Sequence, residues 1–67
     1  MSQFAQKHAR NLVVMLAAGG HLDEILEMAK AFGVRAVHID QLAVPHEEVA
    51  ARRKLIEALK SKENVVH

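Results

Sequence analysis

Residues 25–42, ILEMAKAFGVRAVHIDQL, constrain this chain more than any other stretch, because their apolar side chains are spaced for two helices joined by a tight turn. Met28 and Ala29 lie on the first helix, with Phe32 a turn further along. Gly33 stands where the backbone must reverse, Val34 follows it, and Ile39 and Leu42 face back from the second helix. Helices that cross steeply need a small residue at closest approach, which Ala29 supplies. They also need a turn residue that accepts positive φ at no steric cost, which Gly33 supplies.

The flanking residues extend the helical pattern. Between residues 3 and 18, Phe4, Ala5, Ala9, Leu12, Val13, Leu16 and Ala17 share one helical face; Ser2 is placed to cap its start and Gly19-Gly20 to end it. Residues 22–32 repeat the pattern with Leu22, Ile25, Leu26, Ala29 and Phe32, and Asp23 and Glu24 complement the dipole in the first turn. Gly33 followed by Val34 reads as a left-handed stop with an apolar residue folding back, a Schellman ending. Pro45 fits the first turn of a last helix, with Glu47 and Glu48 near its start and Lys60 and Lys62 near its end. Val49, Leu55, Ile56 and Leu59 form its buried stripe. Residues 63–67 are expected to fray, with residues 64–66 able to pair as a short strand.

One alternative stays open. Val and Ile favour strands, so residues 34–39 and 11–18 also read as strands in a β-α-β-α order, with Gly19 and Gly20 in the first strand-to-helix turn. That order resembles half of a doubly wound nucleotide-binding unit. Two parallel strands in so short a chain leave the sheet faces uncovered, however. The caps and the length favour an all-α domain of three to four helices spanning residues 1–67.

Sixty-seven residues make one small domain, and a chain of this size buries only about 60% of its unfolded surface. With no cysteine, neither disulfides nor thiolate metal sites can add stability, which leaves a partner subunit as the natural support. The first helix carries more apolar surface than one face needs, since Val14, Met15 and Ala18 extend the stripe. Leu12, Met15 and Leu16 are therefore the expected homodimer interface. The longest apolar run, residues 12–18, is too short to span a bilayer, and no basic segment precedes it as in a signal peptide. A cytoplasmic chain without a membrane partner is expected.

Little in the sequence points to catalysis. Ser2 and Ser61 are the only hydroxyl side chains among Ser, Thr and Tyr, and Gly19-Gly20 is not followed by the Lys-Ser/Thr pair of a phosphate loop. The histidines at 8, 21, 38, 46 and 67 are scattered, and His46-Glu47-Glu48 lacks the second histidine of a zinc-binding helix. No enzyme activity, metal or cofactor is expected.

The string LAAGGHLDEILEMAKAFGV is similar to the lead-in of resolvase-type domains, and with residues 34–42 it resembles the helix-turn-helix of repressors and resolvases. The resemblance implies a small DNA-binding transcriptional regulator with a helix-turn-helix-like core. It places Arg35, Ala36, His38 and Gln41, with Val37 and Asp40, toward the major groove of duplex DNA. Arg35 would bond guanine edges or a phosphate and Gln41 adenine, while Arg52 and Arg53 anchor the backbone. The Ser/Thr–Arg opening usual for a recognition helix is absent, and the net charge is only +1. Arg52, Arg53 and Lys54 read better as a solvated helix face paired with Glu47, Glu48 or Glu57, because a single helix turn cannot point all three one way. The competing expectation is a small helical interaction module, an adaptor or anti-activator, that binds another protein through an apolar helix face.

Overall fold

The computed structural model describes the backbone of residues 2–63 and the side chains of residues 5–63. The capping role of Ser2, the core side of Phe4 and the strand reading of residues 64–66 lie outside these. The described chain is all-α: α1 (Ser2–Ala17), α2 (Leu22–Phe32), α3 (Ala36–Asp40), a 3₁₀ turn (His46–Glu48) and α4 (Val49–Glu63).

Two glycine-ended turns set the helix directions. After α1, Gly19 takes φ 99°. Its N–H donates to the Leu16 carbonyl at 3.1 Å and the Gly20 N–H to the Met15 carbonyl at 2.9 Å. After α2, Gly33 takes φ 73°, its N–H donating to Lys30 at 3.3 Å and the Val34 N–H to Ala29 at 2.8 Å. Both pairs have the bonding pattern of the Schellman motif, which satisfies carbonyls that a helix end otherwise leaves open. Val34, folded back over Ala29, is buried with it. Gly20 matters for a different reason: a Cβ there would stand 2.8 Å from the Met15 carbonyl oxygen.

The first turn makes α1 and α2 an antiparallel hairpin. At its open end the His8 ring stacks on Phe32, centroids 4.0 Å apart. At its closed end Gly20 lies against both Met15 and Ile25. The span from residue 8 to 15 equals that from 25 to 32, so two turns of one helix match two turns of the other.

The second turn sends the chain elsewhere. Arg35 is extended, with φ −117° and ψ 171°, and α3 settles on α4 and α1 without packing on α2. Residues 34–39 are thus a two-residue link, extended at Arg35, followed by a short helix and not a strand, and residues 11–17 continue α1. In α3, Ile39 and Ala36 enter a core completed by Ala9, Leu12, Val13, Ile25, Leu26, Ala29, Val34, Leu55 and Leu59. α1 lies at the centre and touches every other element.

Several expectations need correction. Pro45 lies outside the last helix, extended at ψ 161°, and leads into the 3₁₀ turn, so α4 begins only at Val49. Val49 is exposed, because α4 turns its Leu55–Leu59 stripe inward instead. Ala17 and Phe32 are exposed at helix ends, beyond the reach of the core. Leu12, expected at a dimer interface, is only 2% exposed and belongs to the protomer's own core.

Gly33→Ala is expected to destabilise the fold by about 1–2 kcal/mol, the cost of a Cβ in the left-handed region. Gly33→Asn should cost less, since Asn tolerates that conformation. Gly20→Ala should also destabilise, although its φ is ordinary, because backbone must move to admit the methyl. Urea unfolding of the three variants checks the order.

Candidate functional site

The exposed side of α3 and its borders gather most of the residues expected to act. α3 has five residues and so extends only about 7.5 Å. Ile39 is fully buried and Ala36 4% exposed, while Val37, Asp40 and the following Gln41 face solvent. Ala36 is therefore part of the core and is removed from any groove-facing set. A single helical period dictates this: position 36 lies three residues before Ile39, on the same side of the helix.

Arg35 precedes the helix with its side chain 68% exposed, and its Nη2 lies 3.7 Å from Glu63 Oε1. His38 turns back on its own backbone, where Nδ1 accepts the Arg35 N–H at 2.9 Å. That bond leaves the ring proton on Nε2. Gln41 Oε1 accepts a bond from Gln6 Nε2 at 3.0 Å. Arg52 Nη1 reaches the Asp40 carbonyl at 3.4 Å and its carboxylate at 3.9 Å, so this cation holds the end of α3. Arg10, from α1, donates to the Ala43 carbonyl at 3.5 Å.

The structure thus brings Arg35, Gln41 and Arg52 together around α3, with His38 between them. Arg53 is separated from them. It points outward from α4 beside His46, Ala50 and Glu57, because successive residues diverge by about 100° around a helix. The expected i,i+4 partner of Arg52, Glu48, does not bond it: Arg52 Nε and Glu48 Oε1 are both buried without a hydrogen-bond partner. Gln6, Arg10 and Glu63 border the site and were not foreseen. Their contacts span 35, 33 and 27 residues, and no local pattern announces such pairs.

A second surface runs along the α1–α2 hairpin. Met15 is 40% exposed and Phe32 41% exposed, with Val14 beside Met15. Met28, half-buried, lies one turn before Phe32 on the same side of α2. The His8–Phe32 stack and the matched two-turn spans place these side chains along one seam. Leu16 is half-buried and turns toward Ala50 and Ala51 of α4, away from that seam. Among the described residues no group of His, Asp or Glu is arranged to hold a metal ion, and no helix is long and apolar enough to cross a membrane.

The two sides of α3 make opposite predictions. Ile39→Ala should cost about 2–5 kcal/mol of stability, as for other fully buried aliphatic truncations. Val37→Ser, at a position 52% exposed, should change stability by no more than about 0.5 kcal/mol. Thermal or urea unfolding of the two variants measures the difference.

No family model matches this chain, and neither does any curated protein or solved structure.

Proposed function

We propose that this chain is a small helical protein-interaction module whose contact surface is the α1–α2 seam, and that it self-associates there. The observation that carries the reading is the alignment of Met15, Met28 and Phe32 along one hairpin face. Scattered apolar side chains on a surface need no explanation, whereas several that share one face suit a place where another molecule excludes water. Methionine suits such a contact because its unbranched, polarisable side chain adapts to irregular partners. A domain of this size also gains from burying that row against a second copy. Of the expected interface residues, Met15 serves this surface; Leu12 is already spent in the core, and Leu16 faces α4.

A second reading, a DNA-binding regulator of helix-turn-helix type, is favoured by the gathering of Arg10, Arg35 and Arg52 around α3. Three features weigh against it. α3 is short, it does not pack on α2 as the second helix of that motif packs on the first, and two of its cations already face carboxylates. Phosphate would have to displace Glu63 and Asp40 before it gained either charge.

Sedimentation of the purified chain, alone and with random duplex DNA at about 50 and 200 mM salt, separates the two. The interaction reading expects self-association that persists at the higher salt and ignores DNA. Met15→Glu and Phe32→Glu should each make the chain monomeric and remove the concentration dependence of its thermal unfolding, while the variants still unfold cooperatively. Co-sedimentation with DNA at low salt that is lost at high salt, and lost in Arg35→Ala, would establish the regulator instead. A chain that stays monomeric at every concentration and ignores DNA would overturn self-association through this face.

A further inference from the structure

α3 caps its own start only in part: His38 Nδ1 accepts the Arg35 N–H at 2.9 Å, and the Ala36 N–H must find its acceptor elsewhere. Its N-cap residue is Arg35, a side chain with no acceptor to offer, yet the first helical residue, Ala36, is buried. The acceptor comes from the far end of the fold. Glu63, in the last turn of α4, takes the Ala36 N–H at Oε2, 2.9 Å away, and places Oε1 3.7 Å from the Arg35 guanidinium. One carboxylate therefore joins α4 to both the turn before α3 and the first residue of α3. The bond to Ala36 is partly buried, and Arg35 and Glu63 stand together at the rim of a groove floored by Leu26, Val34 and Leu59.

We propose that Glu63 is a latch that couples the winding of the last turn of α4 to the seating of the first turn of α3. Each partner is weak alone. A five-residue helix is far below the length that sustains itself in water, and the last turn of any helix is held by few of its own hydrogen bonds. Sharing one carboxylate makes their local openings a single event. Unwinding at residue 63 releases Ala36 and Arg35 together, and drawing Arg35 toward another anion loosens the end of α4. The device is independent of whether the α1–α2 seam binds a partner.

Amide hydrogen exchange on the full chain, resolved by NMR, tests the latch. In Glu63→Ala the Ala36 amide should exchange about 2- to 30-fold faster, the range expected when a side-chain cap is lost. Glu63→Gln keeps an acceptor and should restore much of that protection, while Lys62→Ala, one residue away, should leave Ala36 as it was. The reciprocal variant is Ala36→Pro, which removes the donor at a first helical position where proline is tolerated and where residue 35 is already extended. It should speed exchange at Lys62 and Glu63. Unchanged protection of Ala36 in Glu63→Ala would overturn the latch. So would an Ala36→Pro protein that folds with the end of α4 undisturbed; if that variant does not fold, the Ala, Gln and Lys62 comparison decides alone.

Discussion

The hydrogen bond from the Val34 N–H to the Ala29 carbonyl, 2.8 Å across Gly33, is the joint on which the arrangement depends. It ends α2, folds Val34 into the core and leaves Arg35 extended, so the chain departs from α2 before the next helix can form. Had the turn released the chain one residue later, Ile39 and Ala36 would no longer share the side that meets α1 and α4. A helix of five residues cannot correct its own orientation, because it lacks the internal hydrogen bonds to stand apart from its neighbours. Its placement is inherited from the turn and completed by tertiary contacts: Arg52 at one end, Glu63 at the other, and Gln6 beside Gln41.

What was legible in the sequence follows from this division. α2 was readable to the residue, since its acidic first turn, its apolar period and its glycine stop all act within one short stretch. The Schellman ending at Gly33 was readable for the same reason. α3 was readable as a helix after Gly33 but not in its bounds, and a strand stayed open beside it, because Val37 and Ile39 carry a strand preference that the burial of Ile39 overrides. Leu12 and Met15 lie nearly side by side on α1, and periodicity alone does not tell which of them meets the protomer and which meets solvent. That choice is made by the surrounding helices, whose Ile25, Ile39, Leu55 and Leu59 share one buried cluster with Leu12. The site residues divided similarly: Arg35, His38 and Gln41 were visible on and beside α3, whereas the burial of Ala36, the separation of Arg53 and the pairing with Glu63 and Asp40 emerged only from the fold.

The near-neutral charge of the chain has a local counterpart. Around α3 each of two exposed or half-exposed arginines faces a carboxylate, and a third spends its donor on a backbone carbonyl. Exposed pairs of this kind contribute about 0–1 kcal/mol each, so they do little for stability. Their stronger effect is on what the surface can attract. A cation already facing an anion projects a weak field, and a polyanion approaching α3 meets compensated charge, not a basic stripe. The same pairs that hold α3 in place thus reduce its electrostatic reach.

The hairpin face is built on a different principle. Phe32 sits at the last position of α2, where the helix extends past the core that Ala29 and Ile25 fill, and its ring stacks on His8 while staying 41% exposed. Stacking at 4.0 Å shields one ring face from water, with Met15 two turns along α1 from His8. Fixed register makes the row usable. The His8–Phe32 stack ties the helices together at the open end, and the short Gly19-Gly20 turn joins them at the other, so the register of these side chains is set from both ends. A partner would therefore meet a surface already ordered, with less side-chain and backbone freedom left to lose on binding. Were a partner to bind here, the fixed pairing of the two helices would count for more than the size of the apolar row, because less freedom would be lost on contact.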